Sequence, residues 1–221
     1  MQETGNNIPA VQDKILSIRI DADGLYFYDR FIPLGSGRDF VAVLRRNLPR
    51  AEDFDRVGAG LDTLNMAAVP AFYFEPALLE GYLSVGNMLP SGYVPVRSAV
   101  GDIIVVMACR ADIAAILEEL YSDKLFYRSP LEELLAPTDA TVTRLLMTVR
   151  NVYISVWREG LKFAQVLPYT SGADPLYYVT SLNRELEAGQ GALSLFGAID
   201  PKLAKALGKR FKNVVHEDNK R

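Results

Sequence analysis

Cysteine and histidine are nearly absent from this chain. Its 221 residues hold one of each, Cys109 and His216, together with a single tryptophan, Trp157. One cysteine excludes an intrachain disulfide. A structural zinc site needs about four Cys or His ligands, more than this pair supplies. Ser-His-Asp or Cys-His catalysis would have to use His216, in the polar run His216-Glu217-Asp218-Asn219-Lys220-Arg221. A frayed tail does not hold a base within reach of a nucleophile, so no catalytic residue and no metal ligand is assigned. Cys109 ends an apolar strand and reads as a small buried hydrophobe.

Long apolar runs are missing as well. The longest, Ile103 to Cys109, falls far short of the roughly 20 residues that cross a bilayer. Met1 to Lys14 is polar and lacks the basic start and apolar core of a secretory signal. The expectation is a soluble, cytoplasmic protein without membrane insertion. There is no surplus of positive charge either: the net charge is −3, which argues against a nucleic-acid partner. The basic cluster Lys202, Lys205, Lys209, Arg210 and Lys212 sits beside Leu203, Leu207 and Phe211, and reads as the solvated face of a helix.

What the chain does contain is an ordinary globular balance, 49% hydrophobic and 23% charged, over a length that suits two compact lobes. One order of elements occurs twice. Leu16 to Ile20 alternates apolar and polar residues and turns through Asp23-Gly24, a pair suited to two-residue hairpins, into Leu25 to Tyr28. A short strand at Phe31 to Leu34 follows, then a helix over Asp39 to Leu48 with Phe40, Val43, Leu44 and Leu48 on one face. A strand is read over Asp62 to Val69, and a helix after Glu75-Pro76. Ile103 to Met107 is apolar on both faces, the pattern of a central strand. Ile113, Ile116, Leu117 and Leu120 form a helical stripe. Ser129-Pro130-Leu131-Glu132 is a capping box.

Ala136-Pro137-Thr138-Asp139 is the best linker, dividing the chain into lobes at 1–137, with a polar N-terminal tail, and 138–221. In the second lobe Leu145 to Val149 turns through Arg150-Asn151 into Val152 to Val156, followed by a strand from Leu161 to Leu167. A helix capped by Asp174, a strand at Ala192 to Phe196, a helix opened by Asp200-Pro201 and an edge strand near Asn213 to Val215 complete it. Both halves read β-β-β-α-β-α-β, the first with extra material between its elements.

That order resembles the ribonuclease-H-like unit, and duplicated it resembles the superfold of actin, sugar kinases and heat-shock chaperones. Several passages resemble an uncharacterised bacterial domain-of-unknown-function family with an actin-like ATPase fold. They are Leu16 to Ile20 before Asp23-Gly24, Val69-Pro70 with Phe72 to Pro76, Arg128 to Glu132, Tyr177-Tyr178, and Leu195 to Ile199. The resemblance implies a mixed α/β fold of two ribonuclease-H-like lobes with a cleft between them, the turns at Asp23-Gly24 and Arg150-Asn151 facing that cleft from opposite sides. Fold alone does not imply activity.

In that superfold each first hairpin carries a phosphate loop of Asp, Gly and a hydroxyl residue. If ATP with magnesium binds, the positions implied are Asp21, Asp23 and Gly24 in one lobe, Arg150 and Asn151 in the other, and Gly197 on the adenine side. Leu25 stands where a hydroxyl would help, the second loop lacks both acid and glycine, and the paired adenine-side glycines are reduced to Gly197. A two-metal nuclease reading would rest on Asp21, Asp23 and Asp102, with no second-lobe carboxylate to match them.

These departures favour a non-catalytic, actin-like binding or scaffold protein. The alternative is a nucleotide-binding protein with diverged phosphate loops. Tyrosines number 11. Alternation puts Tyr26 and Tyr28 opposite Leu25 and Phe27, and Tyr153 and Trp157 opposite Val152, Ile154 and Val156. Tyr26, Tyr28, Tyr153 and Trp157 are therefore the candidate contacts for a protein partner or for self-association.

Overall fold

Ile15–Ile20 (β1) is exposed and buried at alternate residues, because one of its faces meets the core and the other meets water. The computed structural model describes residues 13–186, 191–197 and 199–217. The polar stretch at 1–12, Ala198 within the Leu195–Ile199 motif, and residues 218–221 of the C-terminal polar run lie outside the described residues.

The first half continues with Gly24–Phe27 (β2), Arg30–Pro33 (β3), the helix Gly37–Asn47 (α1) and Arg56–Leu61 (β4). Then come Met66–Pro70 (β5), a short helix Leu79–Ser84 (α2), Tyr93–Val100 (β6), Ile103–Arg110 (β7), the helix Ala111–Tyr121 (α3) and Leu125–Arg128 (β8). The second half holds Val142–Met147 (β9), Asn151–Trp157 (β10), Leu161–Pro168 (β11), the helix Ala173–Glu185 (α4), Ala192–Gly197 (β12), the helix Pro201–Gly208 (α5) and Val214–Glu217 (β13).

The strands form two five-stranded sheets, ordered β3-β2-β1-β4-β8 and β11-β10-β9-β12-β13, and a three-stranded sheet β5-β7-β6. The two larger sheets have the same topology. In each, three antiparallel strands lead, and the first of them pairs in parallel with the fourth, as β1 does with β4 and β9 with β12. The small sheet and α2 are the extra material of the first half. Its central strand β7 is covered on both sides as its apolar run implies: Val105, Met107 and Cys109 join the large core, while Val106 and Ala108 pack under α2 with Leu83.

The sequence placed one first-half strand wrongly. Asp62 to Val69 contains the turn between β4 and β5, and the strand β4 lies before it. Its Gly58-Ala59-Gly60 has too little side-chain apolarity to show a period, yet it sits between β1 and β8. A Cβ on Gly58 would stand 2.9 Å from the Phe126 ring, so the small residue makes room for its neighbour. His216 is corrected too. It lies in β13, opposite Leu195 of β12, and not in a frayed tail.

The cores explain how the halves join. Leu145, Val152, Ile154 and Val156 face α4 and α5 together with Val179, Leu203 and Leu207. The opposite face of the same sheet presents Leu146, Tyr153 and Val166, and these belong to the core of the first half. The middle of the second sheet is therefore buried on both faces, and every residue of β10 is buried, while the edge strands β11 and β13 remain largely open to solvent.

Candidate functional site at the hairpin junction

The parallel pairs β1–β4 and β9–β12 end together, with Ile20 beside Leu61 and Met147 beside Gly197. Ligands of open α/β sheets gather beyond the carboxyl ends of such strands. The residues that follow these ends are Asp21, Asp62 and Thr148.

The first loop is closed by its own carboxylate. Asp21 Oδ1 accepts from the backbone N–H of Asp23 at 2.9 Å and of Gly24 at 3.2 Å, and the Asp21 N–H donates to the Gly24 carbonyl. This corrects the reading of Asp23-Gly24 as a left-handed two-residue turn: neither residue has a positive φ. Gly24 is needed for close packing, since a Cβ there would lie 2.3 Å from the Ile32 carbonyl oxygen.

The second loop is likewise self-contained. The Asn151 N–H donates to Thr148 Oγ1 at 3.1 Å, and the Thr148 N–H donates to the Asn151 carbonyl at 2.9 Å. The Tyr169 hydroxyl bonds the Thr148 carbonyl at 2.8 Å, and burial, then the nearby Asp62, push its phenol upward.

The two loops meet. Arg150 Nη2 lies 2.5 Å from Asp23 Oδ1. Asn151 Nδ2 donates to Asp62 Oδ1 at 2.6 Å, and the Tyr153 hydroxyl donates to the same oxygen at 2.7 Å. Burial first, and the Asp62 carboxylate second, hold the Tyr153 phenol well above its ordinary range. Of the residues singled out from sequence, the structure thus brings Asp23 to Arg150, with Asp21 and Gly24 in the same loop, and sets Asn151 beside them. Gly197 stands at the neighbouring strand end with φ +79, where a Cβ would meet the Met147 carbonyl oxygen at 2.8 Å. Asp62, Thr148 and Tyr169 were missed. The available signal for Asp62 was an acid directly after a small-residue strand.

A phosphate loop works through backbone N–H groups that point at the ligand. Here the N–H groups of Asp23, Gly24, Thr148 and Asn151 already have protein acceptors, and Asp23 is engaged by an arginine. In this arrangement those four N–H groups are not free to receive a phosphate. Among the described residues, no group of three or more His, Cys, Asp or Glu is placed to hold a metal ion.

The aromatic candidates divide. Tyr28 is 71% exposed, whereas Tyr26 is half-buried beneath the Arg19 guanidinium, 4.1 Å from its ring centre. Tyr153 and Trp157 are corrected: they are 0% and 5% exposed, because the first half covers their side of β10. The Trp157 Nε1–H donates to the Leu134 carbonyl at 3.0 Å, which also accepts from Ser155 Oγ and Arg144 Nη1. Leu134 ends a 3-10 turn at Pro130–Leu134, opened by the Ser129–Glu132 capping box. The expected helix there stops at that short turn as Leu131 and Leu134 become buried.

No protein-family model matches the chain, and no curated protein matches its sequence. Among solved structures, it is similar to a Bacteroides thetaiotaomicron protein with an actin-like ATPase fold and unknown function. That likeness has a TM-score of 0.76 and 15% identity, covering 93% of this chain and 91% of the other. A weaker likeness, with a TM-score of 0.44 and 12% identity, joins it to the cytoplasmic domain of EpsL, an inner membrane component of the type II secretion system of Vibrio cholerae. It covers 85% of this chain and 83% of that one. Among the described residues, no helix is long and apolar enough to cross a membrane. The duplicated sheet order and the 0.76 likeness agree, and the chain has the actin-like ATPase fold.

Proposed function

We propose that this protein is a non-catalytic binding or scaffold module of the actin-like fold, working in the cytoplasm and divided into lobes near Pro137. The observation that carries this reading is the junction itself. Where the superfold holds two phosphate loops apart around a nucleotide, Asp23 grips Arg150, and Asp62 accepts from Asn151 and Tyr153. A nucleotide would have to break these bonds and strip Asp21 from the N–H groups it accepts. Tyr28, exposed at the end of the first hairpin, remains as the aromatic contact for a protein partner or a second copy.

Isothermal titration with ATP and magnesium tests the reading. The expected result is no saturable heat. Micromolar binding that weakens on Gly197→Trp would establish the alternative, a nucleotide-binding protein with diverged loops.

A further inference from the structure

The outer face of the second half carries a concave surface of one charge. A cavity of about 670 Å³ between α4 and α5 is lined by Leu176, Lys202, Lys205, Ala206, Lys209 and Arg210. A second, of about 460 Å³, shares Arg210 and continues past Tyr177, Ser181 and Arg184 to Asn183. Every charged residue lining this groove is a cation. Among the described residues none of Arg184, Lys202, Lys205, Lys209 and Arg210 has an ion-pair partner. At the groove end Asn183 is 4% exposed; its Oδ1 accepts from Thr143 Oγ1, while its Nδ2 has no acceptor.

We propose that this groove binds an acidic peptide segment of a partner protein, with the peptide carboxylates paired to Lys202, Lys205, Lys209, Arg184 and Arg210.

Helix stability does not explain the cluster. Cations near the C-terminal end of α5 complement its dipole, but Lys202 stands in the first turn, where the dipole disfavours positive charge. Lys202, Lys205 and Lys209 lie on one face at spacings of three and four, a like-charge arrangement that opposes the helix. Both costs are relieved by an external anion. The chain as a whole carries −3, so the groove inverts the local field and directs an acidic partner to one place.

Shape and surroundings favour a peptide over other polyanions. A single-stranded nucleic acid binds by stacking successive bases on aromatic rings, and Tyr177 is the one exposed aromatic ring lining the groove. An extended peptide can lie along α4 and α5, bringing carboxylates to the cations of both.

The groove shares no lining residue with the hairpin junction. The inference gives the binding-module reading its partner chemistry, and it can fail while the ATP titration still supports that reading. The test uses a fluorescein-labelled decaglutamate peptide and the full chain, read by fluorescence anisotropy. Binding is expected at about 50 mM NaCl and should weaken at least about tenfold by about 300 mM. The double variant Lys205→Glu with Arg210→Glu should lose at least about tenfold in affinity, with its melting temperature nearly unchanged because both side chains are exposed. Absence of binding, equal binding by the double variant, or tighter binding to a labelled thymidine decanucleotide or to phosphatidylserine vesicles would overturn the proposal.

Discussion

Asp62 and Tyr153 stand 91 positions apart in the chain, and the tyrosine hydroxyl donates to the carboxylate at 2.7 Å where the two halves join. A hydrogen bond to a charged group contributes about 1.5–3 kcal/mol. Asn151 still bonds Asp62 when the hydroxyl is removed, so Tyr153→Phe should cost about 1–2 kcal/mol in urea unfolding. The pH dependence has a definite sign. The phenol titrates near 10.0 in the unfolded chain and well above that when folded. Its contribution is therefore complete below that pH and declines as the pH rises beyond it. Tyr153→Phe should flatten the alkaline limb of the stability curve, and an unchanged limb would show that another group controls it.

Arg150 and Asp23 make the other tie across the junction, but their side chains are 58% and 44% exposed. Exposed pairs contribute about 0–1 kcal/mol and are screened by salt. Arg150→Ala should therefore shift the melting temperature slightly at low salt and hardly at all at high salt. Exchanging the two charges, Arg150→Asp with Asp23→Arg, should restore the low-salt value. A large loss from Arg150→Ala would mean that the junction holds more of the fold together than its exposure implies.

Trp157 is the single tryptophan, and its burial gives a direct readout. Native emission should be blue-shifted and should move to longer wavelength on unfolding. Trp157→Ala should cost about 3–5 kcal/mol by leaving a cavity. Trp157→Phe should cost less, through the lost bond to the Leu134 carbonyl. An exposed interface ring would give neither the blue-shifted emission nor the stability loss.

Two positive-φ residues should respond in opposite directions. Gly197, at φ +79, would force an added Cβ against the Met147 carbonyl oxygen, so Gly197→Ala should destabilise by at least about 1–2 kcal/mol. Tyr28 holds φ 52 with an exposed ring. Asparagine tolerates that conformation better, so Tyr28→Asn should leave stability unchanged or raise it by up to about 1 kcal/mol. Thermal melts of the two variants check both signs.

Cys109 is buried, and desolvation, with Asp112 adding to it, pushes its thiol up to about 12. The thiolate is the reactive form, so the native protein should react negligibly with Ellman's reagent near neutral pH, while denaturant releases one thiol per chain. Fast native labelling would place the residue outside the core.

Elements with a clear period were legible from the residues. The alternation of β1, the doubly apolar β7, the α3 stripe with Ile113, Ile116 and Leu117 buried, and the duplicated order all carry their signal locally. The strand β4 was not, because Gly58, Ala59 and Gly60 are selected to fit beside Phe126 and the backbone of β1 rather than to bury apolar surface of their own. The site was legible in part. The two hairpin turns could be named, but Asp62 could not, because its partners arrive from the other half of the chain.

The amino-acid sequence by itself determined the order of elements, the scarcity of cysteine and histidine, and which face of each hairpin strand carries its most apolar residues. Tertiary structure decided what lies against the other face. Periodicity distinguishes two sides of a strand but does not say whether the second meets water or another sheet. Tyr153 and Trp157 look like surface aromatics on that basis and are core residues, because the first half packs over them. The same packing sets Arg150 against Asp23 and Tyr153 against Asp62, contacts between distant segments that no local pattern encodes.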